Sequence, residues 1–407
     1  MSERAIREWR IAQRHEARKA FGLVAPLLFL LFAVFVAPIV VVLIQSVQNS
    51  EVSEAFPRTV RAIGHWDPAE LPDESVYCAL VTDLGVLRKG ADKAILGRAA
   101  KRLNYELPTF RALLFSSAEQ VDTSEGQQCK SRLIKIDSRW GDVRYWAGIR
   151  RNISRYTDFY ILSVLDLQRD LKGRIRRVPA DQAIFLMVFA RTLWVAAIIT
   201  VFSLCLGYPI AYLLATLPTR TSNILMYLVL LPFWTSALVR TTAWLVLLQG
   251  NGIVNQVLIA TGLVRRPLEL IFNRTGVIIA MTQVLLPFMI LPIFGVMKSI
   301  HPQYVKAAMS LGANPLIAFI RVYVPQTLPG VGAGCAIVMI SALGFYITPA
   351  IVGGPHDHMV STFIADYINV LLSWGHAAAL AVILLILIVC VYCAFYRVIG
   401  ERRLAGR

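Results

Sequence analysis

The sequence predicts an all-α membrane protein with six transmembrane helices and a large insertion between the first and the second. Three observations carry that expectation. The 407 residues are 57% hydrophobic and 16% charged, with a mean hydropathy of +0.60, whereas soluble domains run at about 45–50% apolar and about 25% charged. Several charge-free runs reach the roughly 20 residues needed to cross a hydrocarbon core of about 30 Å. Finally, 18 of the 25 Asp and Glu fall between residues 47 and 182, and residues 183–396 hold only Glu269, Asp357 and Asp366.

Taken in order, Phe21–Ile44 is the first span; it is too long for a signal-peptide core, and no small-residue cleavage site follows it. Thr192–Leu217, Thr275–Met297, Gly330–Val352 and Ala377–Tyr396 are four more. The run between Arg220 and Arg265, interrupted only by Arg240, suits one span plus a short interfacial segment. The expected organisation is a cytoplasmic basic tail (1–20), a first transmembrane helix (21–46), an outer insertion (47–182), a membrane core (183–400) and a second cytoplasmic tail (401–407).

Orientation follows from the short basic flanks, which stay on the cytoplasmic side. With both tails inside, fourteen Lys and Arg lie there, from Arg4, Arg7, Arg10, Arg14, Arg18 and Lys19 at one end to Arg397, Arg402, Arg403 and Arg407 at the other. The short outer loops hold only Arg265, Arg266 and Arg274. The net charge of +16 therefore describes topology and contact with membrane lipid, and nucleic acid is not an expected partner.

The insertion carries 22 basic and 18 acidic residues and reads as a solvated domain. Residues 90–120 pattern as helix with a break at Pro108, and the apolar positions from Phe159 to Leu171 predict a helix feeding the second span. Cys78 and Cys129 are its only cysteines. In an oxidising compartment such a pair is a disulfide candidate; two buried thiols are the alternative. Cys205, Cys335, Cys390 and Cys393 fall in spans, where a small apolar role is expected.

No phosphate-binding loop, HExxH motif or nucleophile elbow occurs, so no catalytic residue and no metal ligand set is assigned. His356, Asp357 and His358 alternate in an outer loop, a pattern more typical of solvated side chains than of a metal site. The span centres lack the ionisable groups by which secondary transporters bind coupling ions.

The loop 299–328 is the most ordered-looking of the inside loops. A helix can start at Pro302 and stop at Gly312, and Asn314 before Pro315 is a second cap-and-start signal. Pro325 predicts an end near Val324, giving a helix-turn-helix along the membrane surface. Ala307 and Ala308 give the first helix a small, smooth face.

Lys306, Ala307, Ala308, Gly312, Ala313, Phe319, Val322, Pro325, Pro329 and Gly330 resemble, in identity and spacing, the EAA loop of binding-protein-dependent ABC importer permeases. Thr192–Trp194, Gly207–Tyr212, Leu231–Ser236, Val239–Thr241, Ala243, Trp244, Asn251–Asn255 and Phe345–Gly354 resemble the spermidine/putrescine-type branch. The resemblance covers the first span and residues 183–400 and leaves most of the insertion uncovered. One position departs: Lys306 stands where the family usually has Glu, so no Glu-based salt bridge carries over.

What the resemblance implies is the type I ABC importer permease fold in a bacterial inner membrane. It implies a second permease subunit of similar fold, two cytoplasmic ATPase subunits and a periplasmic substrate-binding protein as partners. It implies no cofactor on this chain, with ATP and Mg on the ATPases, and ATPase coupling through Lys306, Ala307, Ala308, Gly312, Ala313 and Phe319. The expected cargo is a polyamine or related amine, with an opine, amino acid, phosphonate or iron as alternatives. Phe233, Trp234, Arg240, Tyr346, Asp357 and Asp366 are the candidate pathway residues, aromatic faces and carboxylates being suited to an amine. A secondary transporter and a membrane receptor are the remaining alternatives.

Overall fold

The computed structural model describes residues 21–64, 66–67, 70–88, 93–121, 128–169 and 174–404. The basic side chains of the N-terminal tail and those of Arg402, Arg403 and Arg407, used above for orientation, lie outside the described residues. Contacts divide the chain into two units, one within Met1–Ser163 and Leu167–Arg177, the other Val164–Asp166 and Val178–Arg407.

In the first unit the helix Phe21–Gln45, with one π turn at Phe32–Val36, precedes a set of short helices between Glu51 and Ser163. Their core is aromatic: Tyr77, Phe110, Trp140 and Trp146 are fully buried. Tyr77 and Trp146 have ring centroids 4.5 Å apart, and Trp140 and Trp146 5.2 Å. Each polar handle is satisfied, since the Tyr77 hydroxyl donates to the Trp140 carbonyl (2.7 Å), Trp140 Nε1 to Ser117 Oγ (2.8 Å) and Trp146 Nε1 to the Trp140 carbonyl (3.0 Å). Buried Asp83 accepts from Arg58 N, Thr59 N and Thr59 Oγ1, closing the first turn of the helix Pro57–Ile63. The Cys78–Cys129 disulfide joins the helix Glu74–Leu87 to Cys129–Ile136.

The helices Lys93–Asn104 and Phe110–Gln120 flank the expected break at Pro108. The helix expected from Phe159 to Leu171 is corrected: it stops at Val164. Asp166 takes a left-handed φ of 55°, and the chain turns into an antiparallel ribbon, Leu167–Arg169 against Ile175–Arg177. The apolar spacing was real, but an alternating strand and the end of a helix share it over so few residues.

Among the described residues, the second unit contains five further helices long and apolar enough to cross a membrane: Phe185–Thr216, Ala237–Ala260, Arg274–Ser299, Pro315–Gly344 and Trp374–Arg397. The second, fourth and fifth spans pack around small residues. A Cβ on Gly207 would meet Met289 Cγ at 3.0 Å, and one on Gly334 would meet Met289 Sδ at 2.9 Å, so glycine sets the approach of both neighbours to the fourth span. The third span is interrupted at Gln249–Gly252 and preceded by the helix Thr219–Leu230 with a 3₁₀ turn at Leu231–Trp234.

The fifth span differs from expectation in both directions. It begins at Pro315, inside the loop, and ends at Gly344, with Ile347–Val352 a separate turn of helix. Pro325 does not end the preceding helix. A π turn at Phe319–Tyr323, closed by Val324 N donating to the Phe319 carbonyl, absorbs the register change, and Gln326 Nε2 donates to the Val322 carbonyl at 2.8 Å. Proline is tolerated where a wider turn and a side chain satisfy the backbone around it.

Candidate functional site

The loop between the fourth and fifth spans is built by local backbone chemistry. The helix Gln303–Ser310 follows Pro302 and closes in a Schellman arrangement: Gly312 N donates to the Met309 carbonyl (3.0 Å) and Ala313 N to the Ala308 carbonyl (3.1 Å). That geometry places Gly312 at φ 93°, where a side chain would be strained. Asn314 Oδ1 then accepts from Leu316 N at 3.1 Å and caps the helix beginning at Pro315. The turn between the two helices is consequently four residues, Leu311–Asn314, of fixed shape.

Lys306, Ala307 and Gly312 are exposed, and Ala308, Ala313 and Phe319 are half-buried. Around the small face stand Tyr304, Met309 and Leu311, the last 89% exposed. Large apolar side chains exposed beside alanines on a short, rigid helix form a surface that a partner protein can cover.

Phe319 connects this loop to the bundle. Its ring lies edge-on to Tyr212 at 5.4 Å and stacks on Tyr323 at 5.5 Å, and Tyr212 and Tyr323 are 5.6 Å apart. Tyr212 is in the last turns of the second span and Tyr323 in the π turn. Sequence reasoning assigned Phe319 but missed both tyrosines as its partners; the spacing of Phe319 and Tyr323 by four residues was the available signal.

At the opposite end of these spans is a polar cluster that the sequence left unassigned. Arg191, in the second turn of the second span, donates through Nη1 to the His356 carbonyl and through Nη2 to the His358 carbonyl (2.6 Å). Thr192 Oγ1 accepts from Val360 N at 3.1 Å. Between the two histidines, Asp357 accepts from Arg274 Nε at 3.1 Å, so two arginines from two spans hold one loop. The charge immediately before the uncharged run was the signal that could have found Arg191.

The six candidate pathway residues are dispersed. Phe233 packs edge-on to Phe288 at 5.0 Å, and Trp234 is 84% exposed. Arg240 Nη2 donates back to the Thr235 carbonyl at 3.0 Å, just before its own helix begins. Tyr346 is exposed at the break after Gly344, Asp357 is held by Arg274, and Asp366 is half-buried on the helix Val360–Asn369. Among the described residues no hydrogen bond or ring contact joins any two of the six.

In the first unit, Arg102 is 3% exposed, with its guanidinium 3.8 Å from the Phe159 ring centroid and Nε donating to Asn49 Oδ1 at 3.2 Å. Burial pulls its pKa below the usual guanidinium range, against the attraction of Tyr160 and Glu106. The ring and the Glu106 carboxylate, 3.8 Å from Nη2, are what make a buried cation tolerable there.

Residues 184–405 match the family model described as "Binding-protein-dependent transport system inner membrane component". The chain is 32% identical over 215 residues to the spermidine/putrescine transport system permease protein PotB of Escherichia coli (strain K12), covering 53% of this chain and 78% of that protein. It is 30% identical over 236 residues to the inner membrane ABC transporter permease protein YdcU of the same organism, covering 54% and 73%. Among solved structures, a chain of the bacterial alginate ABC transporter in complex with an alginate pentasaccharide-bound periplasmic protein matches with a TM-score of 0.43 and 16% identity, covering 53% of this chain and 78% of that one.

Proposed function

The chain belongs to the family of binding-protein-dependent transport system inner membrane components, and on that premise we propose how its parts divide the work. It is an integral inner-membrane protein with the type I permease fold, the permease component of an ABC importer. Our reading is that it pairs with a second permease of similar fold, that two ATPase subunits dock below, and that a periplasmic binding protein delivers the solute. Both termini are then cytoplasmic and the insertion 47–182 is a periplasmic domain. This chain supplies no catalytic residue and no cofactor site; ATP and Mg belong to the ATPases.

The observation that carries the coupling assignment is the continuity of the loop with the fifth span. The helix Gln303–Ser310 leads through a fixed four-residue turn, Leu311–Asn314, into one helix that runs from Pro315 to Gly344. A displacement of the docked helix is delivered to the span as a lever rather than lost in a flexible linker. Phe319, wedged against Tyr212, passes it to the second span as well. ATPase closure and opening thereby bias the two arrangements of the bundle. Lys306 is exposed, so its charge faces whatever docks there.

A polyamine or related amine is the solute class supported by the similarity to PotB. Of the two acids assigned to the mouth, Asp357 is neutralised by Arg274, which leaves Asp366 for an amine. The test is uptake of labelled spermidine by membranes containing the whole importer, with competition by an opine, an amino acid, a phosphonate and ferric iron. Energy-dependent amine uptake that only amines compete is the expected result; an amine that is neither taken up nor competes contradicts the assignment.

A further inference from the structure

The ribbon that precedes the second span is exposed and basic. Its register sets Leu167 opposite Arg177, Gln168 opposite Arg176 and Arg169 opposite Ile175. Arg174, Ile175, Arg176 and Arg177 are all exposed, Ile175 at 54%. Residues 174–177 contain Arg174, Arg176 and Arg177 and no acid, while Arg169 on the facing strand is paired with Asp158. An isolated two-stranded ribbon is marginal in water, and a row of like charges on one gives it no stability of its own.

Covalent connection fixes where the ribbon starts. Leu167 and Arg177 are bonded to Asp166 and Val178, and Val178 N donates to the Asp166 carbonyl at 3.0 Å. The Asp166 carboxylate accepts from Phe185 N (3.1 Å) and Leu186 N (2.7 Å), the first turn of the second span. That span has 32 residues, about 48 Å at 1.5 Å per residue, which matches a bilayer of about 40–45 Å with its headgroups. Its first turn is therefore at headgroup level. Strands of three residues extend only about 10 Å, so chain connectivity keeps the arginines near that level whichever way the ribbon leans.

We propose that this ribbon binds the headgroups of anionic phospholipids in the leaflet where the second span begins. The guanidiniums of Arg174, Arg176 and Arg177 donate to phosphate oxygens, and Ile175 supplies an apolar contact at the interface. The binding is driven by charge, since each basic residue within a screening length of an anionic surface adds attraction. It is independent of the solute and of ATPase coupling, and its failure leaves both untouched.

The test is hydrogen exchange of the full chain in lipid nanodiscs of phosphatidylcholine alone or mixed with phosphatidylglycerol. The amides of the ribbon are expected to exchange slower in the anionic discs by on the order of tenfold, and to lose the difference in salt of about 1 M, where the screening length falls to about 3 Å. The triple variant Arg174→Gln, Arg176→Gln, Arg177→Gln loses the difference, and the triple Lys variant at the same positions keeps it. Amides of the helix Glu74–Leu87 report in every sample that the fold is intact. Equal exchange in the two lipids, loss in the Lys variant as well, or slowing only on addition of an acidic protein overturns the proposal.

Discussion

The ring of Phe319 lies edge-on to that of Tyr212 with centroids 5.4 Å apart, joining the start of the fifth span to the end of the second. Both residues belong to different helices that share the fourth span as a packing partner, so the aromatic contact closes the assembly at the end where the loop projects. On the proposed coupling role, this contact would carry a displacement of the loop to the second span.

Truncation of Tyr212 to Ala removes a ring contact with Phe319 and another with Tyr323. Aromatic pairs contribute about 0.5–1.5 kcal/mol each beyond area burial, so the folded protein survives. The expected outcome is ATP hydrolysis by the assembled importer that is less tightly linked to uptake, seen as a raised ratio of ATP hydrolysed to solute transported. Tyr212→Phe retains the ring and the wild-type ratio.

Gly312 has φ 93° in the Schellman turn. A side chain in the left-handed region costs roughly 1–2 kcal/mol, and Gly312→Val is expected to loosen the turn and lower transport while the protein still inserts and folds. Circular dichroism together with uptake checks this, and unchanged uptake rules out a need for the fixed turn.

Arg191→Met leaves the carbonyls of His356 and His358 without the donor that now ties them to the second span. Losing hydrogen bonds to a charged group costs about 1.5–3 kcal/mol, a value to be discounted here for partial exposure. Hydrogen exchange at residues 353–360 is expected to accelerate several-fold, with the fourth span unaffected.

The Arg139 guanidinium, hydrogen-bonded to Asp137, holds that carboxyl below the usual carboxylate range, against a smaller opposing effect of burial. A depressed folded-state pKa stabilises the fold at pH values above the unfolded value of about 3.9, and the contribution is lost as pH falls through the folded value. The difference in melting temperature between wild type and Asp137→Asn is therefore expected to be constant near neutrality and to shrink below about pH 4. A difference that does not change with pH contradicts the ion pair.

Removing the disulfide with Cys78→Ser and Cys129→Ser opens a loop with a sequence separation of 51. The chain-entropy model gives about 4 kcal/mol for a loop of this size, and the insertion is expected to melt well before the membrane bundle. A non-reducing gel shift that Cys78→Ser leaves unchanged shows that the bond does not form.

Much of this architecture was legible in the sequence because membrane crossing imposes a strict demand. Runs free of charge have few ways to be satisfied, so six spans followed from hydropathy, and Gly312 and Asn314 announced their caps through residue type alone. The fifth span was misplaced because Pro325 was weighed by its intrinsic preference, and tertiary packing with a π turn at Phe319–Tyr323 overrode it. The ribbon at 167–177 was hidden by an apolar spacing shared between helix and strand. For the site, the helix-turn-helix that starts at Gln303 was legible because its geometry is local. The cluster of Arg191, Arg274 and Asp357 was not, since it joins residues up to 167 positions apart, and no periodicity encodes such a meeting.

The helix Gln303–Ser310 is the proposed surface through which an ATPase drives this permease. The most direct measurement is co-purification of the tagged full chain from its own membranes, with ATP hydrolysis assayed in the captured material, for wild type and for Ala307→Trp with Ala308→Trp. On that proposal wild type is expected to bring down an ATPase, and the bulky pair to lose it while the chain still inserts. Capture of no ATPase by wild type, or undiminished capture and uptake with both tryptophans in place, would contradict it.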